Sequence, residues 1–484
     1  MSEIKNLEPK ALWNYFDMIC SIPHPSKKEE KIVEAVIEFA KTNNLEYVKD
    51  EVGNIIIRKP ATKGYENRKG IILQAHLDMV PQKNSDTIHD FEKDPILPYI
   101  DGEWVRAKGT TLGADNGIGV AAALAVLADK DMVHGPVEAL LTIDEETGMT
   151  GAFGLKPGYL KGDILMNLDS ETEGELYVGC AGGIDATINF DFKKESVPVE
   201  MSGFALNITG LKGGHSGMDI ILGRGNANKI LFRIFKALEK LGIRISSING
   251  GSLRNAIPRE AFSTITIPTS EVVKAKEILE NITKEVKNEL SLVEPSLVIE
   301  MNPTALPSEV MDKDTQERLI RSVYACPNGV IRMSDSMEGL TETSTNMAIV
   351  KTENNNVNIC CLLRSSVDSA KMDLAEMMAS VFELAGADCK FSGAYPGWKP
   401  NMESPILKTM QETYNNMFGR VPKIMAIHAG LECGLLGGVY PNWDMISFGP
   451  TIMNPHSPDE RVNVPSVKLF WDYLVETLKN APIK

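Results

Sequence analysis

Short apolar runs that stop at a histidine or an acid constrain this chain more than any other feature. Residues 71–73 lead into His76 and Asp78, 137–143 into Asp144, Glu145 and Glu146, and 164–168 into Asp169. Runs of this length, bounded by turn residues and separated by segments of helical spacing, read as buried strands. Buried strands alternating with helices build an open α/β sheet, whose ligands gather beyond the carboxyl ends of the strands. A solvated acidic patch accounts for any one cluster alone, but has no reason to recur wherever a core strand ends. The expected fold is α/β, an α/β/α sandwich around a mixed sheet.

At 484 residues the chain exceeds a single hydrophobic core, so more than one domain is expected. Residues 9–19 and 27–43 have helical spacing, broken at Pro23-His24-Pro25, with Ser26 placed to cap the second helix. From about residue 188 the pattern changes to strand, Gly-Gly-His-Ser-Gly loop, helix 227–241, strands, helix 272–290 and strand. Residues 316–393 repeat part of that order, with VNICCLLR at 357–364 lying over AFSTITIP at 261–268. This predicts a first domain from 1–187 and 398–484. An α+β lid domain at 188–397 is inserted into it, duplicated in its order of elements but not residue by residue. Tyr395-Pro396-Gly397-Trp398-Lys399-Pro400 reads as the return linker.

A net charge of −15 argues against a non-specific grip on nucleic acid or on anionic membrane, and suits a site that collects cations. The seven cysteines form no Cys-x-x-Cys pair, which points to a reducing compartment. The amino-terminal residues lack the plan of a signal peptide and no run of 18 apolar residues occurs, so the expected location is cytoplasmic.

In an extended segment His76 and Asp78 point to the same side, as a metal-bound imidazole and its orienting carboxylate would; an ordinary hydrogen-bonded pair has the same spacing. Asp115, in the glycine-flanked Gly113-Ala114-Asp115-Asn116-Gly117, precedes an alanine-rich helix at 120–127 and reads equally as a helix cap. Taken together, His76, Asp115, Glu146, Asp169 and His456 supply two imidazoles and three carboxylates, a set suited to borderline divalent metals such as zinc. Two metals about 3.5–4 Å apart would each take one histidine and one terminal carboxylate and share a third, for which Asp115 on its glycine loop is the candidate. Glu145 cannot share the direction of Glu146, so it is free to act as general base toward the attacking water.

These segments, with Asn167-Leu168-Asp169-Ser170 and Asn454-Pro455-His456-Ser457-Pro458, resemble in order the signatures of the M20 metallopeptidases, and among them those of the bacterial aminoacyl-histidine (cytosolic non-specific) dipeptidases. The resemblance spans essentially the whole chain. It implies a two-metal dipeptidase acting on short unblocked peptides, Xaa-His among them, with zinc as the metal and cobalt or manganese as alternatives. It also implies ligation by His76, Asp115, Glu146, Asp169 and His456, with Asp115 bridging, Glu145 as base and Asp78 orienting His76. In the lid domain His215 resembles the histidine that stabilises the oxyanion, and a buried structural histidine would look the same. Arg364 resembles the arginine that grips the substrate carboxylate, and a surface ion pair is the plain alternative. Asn255 and Asn346 both resemble the lid asparagine near the carbonyl, and sequence does not choose between them. His428 and Glu432 are placed near the substrate's amino end. A homodimer through the lid is the implied assembly. The same metal centre serves aminoacylases, desuccinylases and carboxypeptidases, which is the alternative enzyme reading. A non-catalytic binding module would have lost a ligand or the base, and none is lost.

Overall fold

In the computed structural model, which describes residues 2–484, the chain divides into two units. The first runs through Gly179 and resumes at Pro400–Ala426 and Leu431–Lys484; the second comprises Cys180–Lys399 and Ile427–Gly430.

The first unit is built on an eight-stranded mixed sheet in the order Glu46–Lys49, Ile55–Lys59, Val137–Thr142, Ile71–His76, Ile164–Asn167, Asp444–Ser447, Glu175–Cys180, Lys423–Ile427. Its four middle strands are parallel, so their carboxyl ends lie along one edge. Every residue of Val137–Thr142 and Ile71–His76 is buried, as expected of strands covered on both faces. The helix Ala114–Ala128 is buried nearly all round, because alanine and glycine let it lie close both to the Ile71–His76 strand and to the helix Lys10–Cys20. The second predicted helix runs Glu30–Thr42, and its cap is not Ser26: that hydroxyl donates to the Asp78 carboxylate at 2.8 Å.

The second unit holds a nine-stranded sheet in which the duplication is visible as topology. Strands Val298–Pro303, Met201–Thr209, Ala261–Pro268 and Arg244–Gly250 form one half, with helices Ala227–Leu238 and Val272–Glu289. Asp388–Tyr395, Gly182–Asp191, Asn356–Ser365 and Thr341–Glu353 repeat the same neighbour order, with helices Lys313–Ala325 and Asp368–Leu384. The halves join where Asn249 and Gly250 pair with Lys351 and Val350. The repeat's first strand, Gly182–Asp191, precedes the whole other half in sequence, which is why only part of the order was visible from residue 316 onward. That strand also carries the second unit's sheet back ahead of the boundary expected at 188. Phe190, Phe232, Phe235 and Phe382 are buried in one core.

Candidate metal centre

Three of the four parallel strands deliver chemistry where they end. Ile71–His76 finishes at His76, which is 1% exposed; Val137–Thr142 leads to Glu145 and Glu146; Ile164–Asn167 leads to Asp169. Asp115 arrives from the opposite direction. Gly113 turns the chain at φ +72°, where a side chain would be strained and would press on Met79. Asp115 and Asn116 then keep non-helical dihedrals before the helix proper begins. The aspartate therefore does not cap the helix but reaches outward. His456 sits in a loop with φ +59°, a conformation uncommon for a side-chain-bearing residue and frequent at functional sites.

These side chains converge. The His76 Nε2 lies 3.1 Å from Asp115 Oδ1 and 3.3 Å from Asp169 Oδ1. The His456 Nε2 lies 3.2 Å from Asp115 Oδ2 and 3.0 Å from Glu146 Oε2. One carboxylate thus stands between two imidazoles, and two triads, His76–Asp115–Asp169 and Asp115–Glu146–His456, each gather their donor atoms within 4.8 Å.

The cluster fits divalent cations on chemical grounds. Among the described residues the buried Oε1 of Glu146 has no hydrogen-bond partner, and an unpaired buried acceptor is costly unless something else occupies it. Burial, with lesser contributions from neighbouring acids, pushes the carboxyls of Glu145, Asp169 and Glu171 up to about 8. Hydrogen bonds to Asp115 and Glu146 raise His456 to about 11. Asp115 itself is held below the carboxylate range, because bonds from His456 and His76 outweigh its burial. The groups are competing for positive charge that the protein alone does not supply. A third group, His76–Glu145–Glu146, overlaps these two, and a fourth, Glu29–Asp78–Asp144, is equally close-packed. Its oxygens accept hydrogen bonds instead, from Ser26, Thr147, Thr150 and the backbone N–H of Asp144 and Glu145.

Asp78 does more than its spacing suggested. The His76 Nδ1 meets the Asp78 carbonyl at 3.0 Å and its carboxylate at 3.4 Å. The carboxylate also accepts the N–H groups of Glu145 at 2.9 Å and Glu146 at 3.3 Å. It therefore aligns the histidine and the Glu145-Glu146 turn together. Sequence reasoning overlooked Gln74. It shares the His76 face of the strand and donates at 2.6 Å to Glu432, which also accepts from Thr142 at 2.8 Å. A glutamine inside an apolar strand, two residues before a candidate ligand, was the available signal. His24 is buried and its Nδ1 meets the Ile22 carbonyl at 2.5 Å, consistent with a structural role.

The second unit holds a different cluster. Arg364 is 5% exposed, and among the described residues its guanidinium pairs with no carboxylate, meeting only the Tyr395 hydroxyl at 3.3 Å. The His215 Nδ1 accepts the N–H groups of Gly217 at 3.2 Å and Met218 at 3.1 Å, which puts the ring proton on Nε2. Burial, then Arg364, lowers its pKa, and the same two causes take His428 down to about 3. His428 Nε2 is 2.7 Å from the Ser344 hydroxyl. The two asparagines differ sharply. Asn346 is 1% exposed and engaged at both ends, donating to the Ala256 carbonyl at 2.8 Å and accepting from Asn226 at 3.3 Å. Asn255 is exposed with its side chain unbonded, and the pairing of His215 with Ala256 sets it beside His215.

Comparison with known proteins places the chain in a family. A sequence profile described as peptidase family M20/M25/M40 matches residues 72–480. The chain is 53% identical over 485 residues to the cytosol non-specific dipeptidase of Escherichia coli K12, covering all of both chains. The crystal structure of aminoacylhistidine dipeptidase from Vibrio alginolyticus superposes with a TM-score of 0.97 at 54% identity, covering 100% of this chain and 99% of that one. The aminopeptidase PepT of Bacillus cereus shares the fold, with a TM-score of 0.62 at 17% identity over 98% of this chain and 99% of that one. With the family match extending over most of its length, this chain belongs to peptidase family M20/M25/M40.

Proposed function

We propose that this chain is a two-metal dipeptidase that hydrolyses unblocked dipeptides, Xaa-His among them, with zinc as its metal and cobalt or manganese able to replace it. Membership of a metallopeptidase family carries divalent-metal use. The count of two rests on one observation: a single carboxylate, Asp115, lies between His76 and His456, each of which meets a further acid of its own. His76, Asp115 and Asp169 would hold one cation, and Asp115, Glu146 and His456 the other. Cations held there supply Lewis acidity, lowering the pKa of the attacking water and polarising the scissile carbonyl.

The chain's own residues do the rest. Glu145 takes the proton of the attacking water and passes it to the leaving amine nitrogen. Its backbone is fixed through Asp78, so its carboxyl need not search for position. His215, neutral and protonated at Nε2, is suited to donate to the oxyanion that forms at the carbonyl. Arg364, a buried guanidinium without an acid partner, is assigned to the substrate's terminal carboxylate. Asn255, exposed and unbonded, is preferred to Asn346 as the asparagine that meets the carbonyl. The reading places the enzyme in the cytoplasm and allows a homodimer through the second unit, which mass measurements at several concentrations check. No helix among the described residues is long and apolar enough to cross a membrane.

A screen of unblocked dipeptides against N-acylated amino acids tests the assignment. Turnover of the dipeptides is expected; hydrolysis confined to acylated substrates would replace the dipeptidase reading with an aminoacylase or desuccinylase type.

A further inference from the structure

Glu460 is 2% exposed, and its carboxylate is saturated by one stretch of backbone. Oε2 accepts the N–H groups of Leu112 at 2.7 Å and Gly113 at 3.0 Å. Oε1 accepts those of Ala114 at 2.8 Å and Asp115 at 3.2 Å. A carboxylate offers about four lone-pair positions, and here all are taken by four consecutive donors. Four aligned N–H groups form a concave anion seat of the kind that otherwise binds a ligand; in this molecule a side chain fills it.

The carrier of that side chain matters. Glu460 closes a turn with its N–H on the Ser457 carbonyl at 2.9 Å, one residue beyond His456. The strand that follows, Arg461–Asn463, pairs with Trp104–Ala107, so the loops bearing His456 and Asp115 leave one small sheet side by side. Glu460 is the bond between those loops. His76 and Asp169 sit at or just beyond the ends of paired sheet strands, whereas His456 stands on a loop and Asp115 in the non-helical first residues of the helix Ala114–Ala128.

We infer that Glu460 is a positioning residue that sets the spacing of Asp115 and His456, and thereby the affinity of the Asp115–Glu146–His456 site for its cation, before any metal arrives. This rests on the two-metal reading above. The side chain acts through the backbone and touches neither substrate nor cation. Glutamine cannot replace it, because the amide keeps one acceptor oxygen and turns an NH2 donor toward two N–H donors. Aspartate is a methylene too short to span both pairs. The exposed neighbour Asp459, whose contact is with Arg106 at 3.3 Å, provides the control.

The test is titration of chelator-stripped full-length protein with Zn²⁺ by calorimetry and with Co²⁺ by visible absorption, for wild type, Glu460→Gln, Glu460→Asp and Asp459→Asn. Wild type and Asp459→Asn should take up two equivalents. In both Glu460 variants one binding step should lose at least tenfold in affinity and the other no more than about threefold, with a changed Co²⁺ spectrum for the equivalent bound in the weakened step. Circular dichroism separates this from unfolding: a variant that keeps the wild-type spectrum yet titrates identically overturns the assignment of Glu460 alone. Equal weakening of both steps also overturns it, since the role would then be general support of the fold. Wild-type protein that binds a single equivalent overturns the two-metal reading and this inference with it.

Discussion

The two units hold buried polar clusters of opposite electrical character. In the first, carboxylates crowd around two imidazoles, and burial, then neighbouring acids, pushes Glu145, Asp169, Glu171 and Glu432 toward protonation while Asp115 is held below the carboxylate range by its bonds from the imidazoles. In the second, a guanidinium lies buried with no acid partner among the described residues, and burial, helped by that guanidinium, holds two nearby imidazoles in their neutral form. Neither sign follows from the chain's overall −15. Each is fixed locally by the side chains the backbone brings together: an excess of carboxylates in the first cluster, and in the second a guanidinium with no acid partner among the described residues.

The largest effect expected from this contrast concerns Glu145. Glu145→Ala removes a proton acceptor but no member of the two triads that share Asp115, so kcat should fall about 10³-fold while metal analysis still finds the full complement. Unchanged turnover would refute its role as base. Loss of metal alongside activity would mean that Glu145 belongs to the ligand set. The second unit offers the matching experiment. Arg364→Lys keeps the charge but loses the planar two-pronged donor, so kcat/KM for a dipeptide should fall roughly 10- to 100-fold. The same variant should lose little on a dipeptide with an amidated carboxyl terminus. Equal losses on both substrates would show that the guanidinium serves the fold and not the carboxylate.

How much of this was legible in the sequence follows the same division. His76, Glu145, Glu146 and Asp169 could be read because they sit at or just beyond strand ends, and a strand's alternation fixes which residues share a face: His76 with Gln74 and Asp78, Asp169 just beyond Asn167; Asp115 and His456 carry no such periodic signal. The supporting contacts could not. Ser26 reaches Asp78 across 52 residues, and Glu460 reaches Asp115 across 345. Local pattern gave Ser26 the look of a cap and Glu460 that of a loop acid. In the second unit the choice between Asn255 and Asn346 depends on the pairing of His215 with Ala256, a register between distant segments that no periodicity encodes. The duplication was half visible for a similar reason. VNICCLLR and AFSTITIP do occupy equivalent strands, but the repeat's opening strand at Gly182–Asp191 is separated from its remainder by the whole other copy.

The smallest expected effect tests the electrical contrast directly, through the stability of the metal-free protein. Burial pushes the carboxyls of Glu145, Asp169 and Glu171 up to about 8 in the folded chain, and that of Glu432 up to about 7. Unfolded, they would return to about 4. Between about pH 5 and pH 8 the folded state therefore binds more protons than the unfolded one, and stability must fall as pH rises through that window. His456, raised to about 11 by its bonds to Asp115 and Glu146, acts in the same direction: its contribution is complete below about 6.5 and fades as pH climbs toward 11. Asp78, bonded to His76 and pulled down to about 2 despite its burial, works in the opposite sense, but only below about pH 4. Stripped protein should thus lose roughly 5 °C of melting temperature between pH 5 and pH 8. Protein reloaded with zinc should lose less, since bound cations hold the carboxylates deprotonated at either pH. A flat profile for the stripped protein would mean that its acids share no excess of negative charge, and the difference in sign between the two clusters would no longer explain why only one of them needs metal.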